Sequence, residues 1–435
     1  MLVLQKYGGS SVADLDRIRA CADRCVATAE AGNDLVVVVS AMKGETNRLI
    51  GMANALVEHA PADADRGPYV TAAKRSVDHD RELDQLVATG EKVSAALLAM
   101  AIGDRGGRAV SLAGHQLGMT TDRTFTRAKI TDISEQRIRS ELEEGRVVVC
   151  AGFQGTDARG DITTLGRGGS DTSAVALAAA LGADVCEILT DVDGVYTTDP
   201  RIVPRARKVL AMSYDEMLEL ASLGAKVLQI RSVAFAKKYG VRVHVRSSLH
   251  EGPGTMIVPA DEVARLRGQN GKQPMEAIEV SGVALQRDEA KVTLVDVPDV
   301  PGVIAEVFGA LGSAGVSVDM ILQNASRNDR TDITFTVAEA DLESATTVLT
   351  GLRPGGEELT LATDRAIAKI SVVGLGLRSH AEVAAKAFGV LAADNVNVQM
   401  VSNSELKMSV VVHERYGELA LRSLHTAFGL DAPSR

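Results

Sequence analysis

Residues 2–11 read LVLQKYGGSS. The apolar opening has the length and character of a short buried strand. Gly8 and Gly9 let the backbone turn tightly and bring its N–H groups near a ligand. Ser10 and Ser11 are helix N-cap types, and Leu15, Ile18 and Ala22 continue at helical spacing, so a helix is expected to open at the serines. A helix N-terminus with free N–H groups is an anion site, and Lys6 adds a point charge at its mouth. The segment is a recipe for holding a phosphate; taken alone it reads equally as a plain tight turn.

The pattern continues outward from there. Leu35–Ser40 (LVVVVS) is a β-branched run of the kind buried on both faces of a sheet. Helical stretches are expected from about Asn47 to Ala60, over Val77–Gly103, Thr172–Leu181 and Tyr214–Leu220. Short strands are expected at Arg108–Leu112, Arg146–Ala151, Val185–Leu189 and Val241–Val245. Alternating strands and helices imply a mainly parallel sheet covered by helices on both faces. Pro61–Tyr69 breaks the rhythm as a surface loop, within a polar insertion at 61–80 that carries no motif.

At 435 residues the chain is too long for one core, and two or three domains are expected. Hydrophobic residues at 46% and charged residues at 24% are ordinary for a folded soluble chain. Aromatics are 3% with no Trp, which disfavours base-stacking surfaces. A net charge of −10 argues against broad nucleic-acid or anionic-membrane binding, while leaving room for a local basic pocket. No apolar run is read as a membrane span, and the N-terminus lacks the order of a signal peptide. Cys21, Cys25, Cys150 and Cys186 are few and scattered, which fits buried thiols in a reducing cytoplasm. The histidines show no metal-ligand spacing, and no structural metal is expected.

The βαβ rhythm ends near Glu251–Thr255, and Val263–Pro274 is polar and linker-like. Beyond Ala277 an internal repeat appears. The first copy holds Lys291 and VTLV, GVIAEVFGALGSAG, then Val316 and SVDMI; the second holds Lys369 and ISVV, EVAAKAFGVLAADN, then Val396 and NVQMV. Phe308 and Phe388 lie 388 − 308 = 80 positions apart. Each copy reads strand–helix–strand–strand–helix, a small α/β sandwich, with Gly315 and Asn395 as helix-ending residues. The boundaries expected are 1–250 for the catalytic domain, 251–276 for a linker, and 277–360 and 361–435 for the two modules. The strand at 278–285 is left open between the modules.

Two further stretches carry chemistry. In Thr164–Ala183 (TLGRGGSDTSAVALAAALGA), Gly166, Gly168 and Gly169 form a close-approach loop and Ser170, Asp171 and Thr172 begin the next helix. Arg167 presents a guanidinium suited to bidentate capture of a carboxylate or phosphate. In Glu187–Arg201 (EILTDVDGVYTTDPR), Thr190 and Asp191 end a strand at the edge where open α/β sheets bind ligands. Tyr196 offers a face for a purine, and Arg201 a reach to phosphates. Together the three stretches imply phosphoryl transfer, which needs positioning and positive charge more than covalent participation. A carboxylate acceptor is already ionised near neutral pH and needs no general base.

KYGGSS at Lys6–Ser11, GRGGSDT at Gly166–Thr172 and TDVDGVYTTDPR at Thr190–Arg201 closely resemble aspartokinases, as do SAMKGET at Ser40–Thr46 and the pair Gly90–Glu91. The repeats resemble tandem ACT domains, with DVPG at Asp299–Gly302 and VDMILQN at Val318–Asn324. The resemblance covers essentially the whole chain. It implies an amino-acid-kinase fold, a mainly parallel sheet sandwiched by helices, followed by two small ferredoxin-like ACT modules. The implied reaction converts L-aspartate and ATP, with Mg2+, to 4-phospho-L-aspartate and ADP, under feedback by lysine, threonine or both.

By the same resemblance Lys6, Asp171 and Arg167 are catalytic: Lys6 on the moving phosphoryl group, Asp171 on the substrate ammonium or on Lys6, Arg167 on the substrate α-carboxylate. Ser40, Thr46, Glu91 and Ser170 join Arg167 and Asp171 around the substrate. Lys6, Tyr7, Gly8, Gly9, Thr190, Asp191, Tyr196, Arg201, Lys226 and Val227 form the nucleotide set. Asp299, Ile304, Val316, Gln323 and Asn397 form the effector set. Alternatives are a relative acting on glutamate or a nucleotide, and a catalytically silent amino-acid sensor. Self-association through the ACT modules is expected, as a homodimer or larger. Met256 and Met275 are candidate internal starts for a separate regulatory subunit.

Overall fold

The apolar run at the N-terminus forms β1 (Leu2–Tyr7), and its two faces have different neighbours. Period-2 alternation puts Gln5 and Tyr7 on one face and Lys6 on the other. The computed structural model describes residues 1–57, 77–223, 227–267, 279–324 and 328–431. They divide into two units, one comprising Met1–Val195, Lys208–Ala221 and Lys226–Gln273, the other Tyr196–Arg207, Ser222–Ala225 and Pro274–Arg435.

In the first unit, β1 leads to α1 (Leu15–Glu30), β2 (Asp34–Val39), α2 (Glu45–Val57), α3 (Val77–Val87) and α4 (Thr89–Asp104). Next come β3 (Ala109–Leu112), β4 (Met119–Thr121), β5 (Ile130–Ile133), α5 (Gln136–Glu143), β6 (Val147–Ala151), β7 (Gln154–Thr156) and β8 (Ile162–Thr164). Then follow α6 (Gly169–Leu181), β9 (Val185–Thr190), β10 (Ala211–Ser213), α7 (Tyr214–Ser222), α8 (Ile230–Tyr239), β11 (Val243–Ser247), β12 (Thr255–Val258) and α9 (Ala260–Leu266).

The main sheet runs β10-β12-β11-β9-β1-β2-β6-β3 and is parallel except where β11 meets β12. Its valine-rich central strands are buried, as the unbroken apolar runs require. One face packs on α1 and α4 through Tyr7, Ile18, Cys25, Val37, Leu98 and Ile102. The opposite face carries α6, whose alanine-rich surface lets it lie close to β1 and β2. A small sheet, β5-β4-β7-β8, carries the chain into α6.

Three expectations are corrected here. The first helix opens at Leu15 rather than at the serines: Asp14 is its N-cap and accepts from the Arg17 N–H at 2.9 Å. Ser11 instead directs its hydroxyl to Ser248 Oγ, as donor, at 2.7 Å. The expected linker is partly sheet and helix, because β12 joins the main sheet and α9 follows it. Finally, the helical stretch His79–Asp104 is 26 residues long and apolar enough to cross a membrane by length and composition. One side of it packs on neighbouring elements, with Leu83, Leu98 and Ile102 buried, while Val93 and Met100 stay exposed. The loop at Pro61–Tyr69 lies outside the described residues.

The second unit contains both repeats. Its elements are β13 (Glu279–Gln286), β14 (Glu289–Pro298), α10 (Val303–Ser313), β15 (Val318–Gln323), β16 (Arg330–Ala338), α11 (Leu342–Thr350) and β17 (Thr360–Asp364). The second set is β18 (Ile367–Leu375), α12 (Ala381–Ala393), β19 (Val398–Asn403), β20 (Lys407–His413) and α13 (Gly417–Ala427). Gly315 and Asn395 follow α10 and α12 with left-handed φ of 75° and 55°, as helix-ending residues do.

The sheets are β15-β16-β14-β17 and β13-β18-β20-β19. The open strand is thereby assigned: β13 pairs with β18 of the second repeat, although it precedes the first. β17 closes the sheet of the first repeat, so a boundary at 360 cuts through β17. The first module is one contiguous segment from β14 to β17, and it interrupts the second between β13 and β18. The modules meet on Met320, Ile367, Met400 and Val411.

Polar contacts across this junction are reciprocal. Lys291 Nζ donates to Gln399 Oε1, and Lys369 Nζ donates to Asp319 Oδ2 and Glu289 Oε1. Asp319 and Gln399 are themselves repeat partners, 399 − 319 = 80 positions apart. Lys369 and Glu289 are almost fully buried, at 2% and 6% side-chain exposure. Removing one member of such a pair strands a charge in the interior at a cost of about 3–5 kcal/mol. Lys369→Met should therefore lower the unfolding free energy of this unit by that amount, read from urea denaturation, and adding Glu289→Met should restore most of it.

Candidate active site

The C-terminal edges of β1, β2 and β6 and the N-terminus of α6 converge on a cavity of about 350 Å3. Lys6, Gly9, Ser40, Thr46, Glu91, Arg167, Ser170 and Asp171 all line it. Lys6 Nζ lies 2.5 Å from Asp171 Oδ1, with both side chains about nine-tenths buried. The pair exists because Lys6 points to the α6 face of β1 and Asp171 sits in the first turn of α6. Among the described residues, Arg167 makes no hydrogen bond or ion pair, so its fork faces the cavity uncommitted.

Glu91 follows Gly90 in the first turn of α4 and is buried. One carboxylate oxygen accepts the Ala41 N–H at 3.0 Å, and the other has no partner among the described residues. Burial pushes the carboxyl up to about 7, against the lowering effect of that hydrogen bond. Gly90 allows this approach: a Cβ there would lie 2.8 Å from Ala41 Cβ. Gly168 is more restrictive, with φ of 72° and a would-be Cβ 2.0 Å from Gln229 Cγ.

Other expected residues are placed differently. Gly8 donates its N–H to Leu189 O at 3.2 Å, which sets the turn beside the end of β9. Thr190 and Asp191 end that strand and hydrogen-bond each other at 3.1 Å. Tyr7 is corrected as a ligand-binding side chain. It is fully buried on the α1 face, where its hydroxyl donates to Gln5 Oε1 at 3.0 Å. Burial raises its phenol well above the usual range.

Tyr196 and Arg201 are not brought to the cavity lining. Their segment belongs to the second unit, where Thr197 Oγ1 lies 2.9 Å from His425 Nε2 and Val203 joins the core. Arg201 is exposed and pairs with Asp199 at 2.7 Å. Lys226 lies outside the described residues, and Val227 is half-buried ahead of α8.

Lys43, Asn47 and Phe153 also line the cavity and had not been singled out. Lys43-Gly44 repeats the signal of Lys6 and its glycines, a lysine in a glycine turn between a strand and a helix. Phe153 carried none: its left-handed φ of 69° and its place against Gly169 depend on the fold.

In the regulatory unit Gln323 Nε2 donates to Asp299 Oδ1 at 3.3 Å, and Ile304 is exposed on the helix that follows Gly302. Val316 is corrected as a side-chain ligand, since it is buried in the module core. Asn397 is exposed just before β19.

Residues 1–247 match the amino acid kinase family, and residues 291–353 and 370–428 each match an ACT domain. The aspartokinase of Pseudomonas aeruginosa is 51% identical to the chain, covering 100% of it and 99% of the relative. The chain belongs to the aspartokinase family. Among solved members, E. coli aspartokinase III in complex with aspartate and ADP (R-state) superposes with a TM-score of 0.74 at 26% identity. That similarity covers 98% of this chain and 99% of the other. The same enzyme in complex with lysine and aspartate (T-state) gives a TM-score of 0.72 at 27% identity, over 98% and 99%.

The glycine constraint separates backbone strain from site geometry. Gly168→Ala should lower kcat/KM roughly tenfold to a hundredfold, since displaced catalytic groups cost that much. Gly182→Ala ends the same helix with φ of 64° and open space around it. It should cost about 1–2 kcal/mol of stability and no activity, as read by steady-state kinetics and thermal melts.

Proposed function

We propose that the chain phosphorylates the side-chain carboxylate of L-aspartate from ATP, giving 4-phospho-L-aspartate and ADP, under feedback by amino acids at its ACT modules. The observation that carries this reading is the Lys6–Asp171 pair facing Arg167 in one cavity. The E. coli relative with aspartate and ADP supports it.

In this reading Lys6 meets the negative charge that builds on the moving phosphoryl group, and Asp171 holds the lysine in place. Arg167 takes the substrate α-carboxylate bidentately. Glu91, with its unpartnered oxygen, takes the substrate ammonium when ionised. Ser40, Thr46 and Ser170 complete the substrate wall. The acceptor carboxylate is ionised at neutral pH, so no proton has to be removed from it. The Gly8–Gly9 turn, Thr190, Asp191 and Val227 are the proposed nucleotide side.

Among the described residues no group of three or more His, Cys, Asp and Glu forms a metal cage. Mg2+ commonly rides on substrate phosphates with one or two carboxylates, and the donors present fit that mode. It would supply charge neutralisation on the phosphates.

Lysine in the T-state complex of the E. coli relative supports lysine as an effector here, with Asp299, Gln323 and Ile304 as its contacts; threonine remains part of the proposal. Self-association through the ACT modules is supported by β15 and β19, whose outer edges carry no strand among the described residues. An internal start at Met275 would retain the strands of both module sheets. A cytoplasmic location fits the four free, buried cysteines.

The test is acyl-phosphate formation from L-aspartate, trapped as the hydroxamate, with lysine and threonine added singly and together. Product from glutamate and none from aspartate would overturn the substrate assignment. Lys6→Ala should lower kcat by about 10²–10³-fold with aspartate KM little changed; near-normal kcat would remove Lys6 from the reaction. Because Glu91 is held up to about 7 by burial, it is neutral below that pH and ionised above it. The kcat/KM for aspartate should therefore rise with pH and level off above about 7. Glu91→Gln should abolish that limb.

A further inference from the structure

Arg167 sits in a glycine turn, exposed, with no side-chain tether among the described residues. A fork aimed at a planar carboxylate still needs its backbone held to a fraction of an ångström. What holds that turn lies one shell away. Asp84, near the end of α3, is fully buried and does not itself line the cavity. Its Oδ2 accepts the Thr164 N–H at 2.8 Å and the Thr126 N–H at 2.9 Å, while Oδ1 accepts the Thr164 hydroxyl at 2.6 Å.

Both threonines adjoin the start of the arginine turn. Thr164 ends β8, two residues before Gly166. Thr126 has a left-handed φ of 66°, a conformation a β-branched residue adopts only when its surroundings impose it. Its carbonyl oxygen packs on Gly166, where a Cβ would lie 3.0 Å away. The Ala128 N–H closes the brace on Thr164 O at 2.9 Å. On the far side Arg231 donates to Leu165 O and Ala128 O, at 2.5 and 3.2 Å. Burial raises the Asp84 carboxyl, and its three hydrogen bonds work against that shift. A buried carboxylate with three donors is a costly group to place in a core for packing alone.

We propose that Asp84 is a positioning residue for aspartate recognition: it clamps Thr126 and Thr164 so that the Gly166–Gly168 turn presents Arg167 to the substrate α-carboxylate. The inference rests on the function proposed above and adds a residue that acts only through another. It contributes nothing directly to the nucleotide.

The test is a double-substitution cycle on the full chain, reading KM for aspartate and for ATP separately. Asp84→Ala should raise the aspartate KM at least tenfold and leave the ATP KM within twofold. On an Arg167→Ala background the same change should move the aspartate KM less than twofold, because the group it positions is gone. Asp84→Asn keeps the volume and one acceptor oxygen and should fall between wild type and alanine. Should Asp84→Ala not fold, Asp84→Asn runs the same cycle with a smaller first step. Effects that multiply across the two backgrounds, or an ATP KM that rises equally, would overturn the Asp84 inference while leaving Arg167 in its role. An aspartate KM unmoved by Arg167→Ala alone would instead overturn the assignment of Arg167, and the inference with it.

Discussion

The ion pair between Lys6 and Asp171 is the constraint on which the catalytic unit depends. It joins the first strand to the first turn of α6, two elements far apart in the chain, across a gap that only small residues permit. Both groups are largely removed from water, so each is tolerable mainly because the other is there. The alanine-rich face of α6 on β1 and β2 brings the two together, and the glycines around the pair keep the neighbouring backbones close. The cavity is thus a product of tight packing at one edge of the sheet, and its charge is held by the same elements that form its walls.

The regulatory unit follows a different logic. Its two modules were written by repetition, and the reciprocal lysine contacts keep the trace of that symmetry. The symmetry is imperfect where it matters energetically: Asp319 stands opposite Gln399, and only Lys369 is buried with a second carboxylate. One half of the junction is therefore a charged, desolvated lock, and the other a half-buried hydrogen bond from a lysine to a neutral amide. Equivalent ends of a duplicated interface have been given unequal strengths.

Much of this was legible in the chain. The alternation of LVLQKY placed Lys6, the glycine turns marked the phosphate-type approach, and the repeat announced two like modules. Motif residues lay at strand and helix ends, and they converged because parallel sheets gather those ends on one edge. What could not be read depended on partners distant in sequence. Ser11 looked like a cap, yet its hydroxyl is directed to Ser248. Tyr7 belonged to a motif, yet strand alternation turned its ring into the core. The strand at 279–286 has no local feature that chooses between two similar sheets. Phe153 and Asp84 carry no motif, since their roles come from backbone conformations that only tertiary structure imposes.

The placement of β13 has a consequence for how this half of the chain changes over time. The first module runs unbroken from β14 to β17, and it sits between β13 and β18, which pair in the sheet of the second. Cutting the chain after β17 to exchange the second repeat or express it singly would leave β13 behind and bare a raw edge of unpaired N–H and C=O groups on β18, an invitation to aggregate. The duplication is thereby locked in. With one copy nested inside the other, the two became one inheritable object, free to diverge in what they sense and bound to remain a pair.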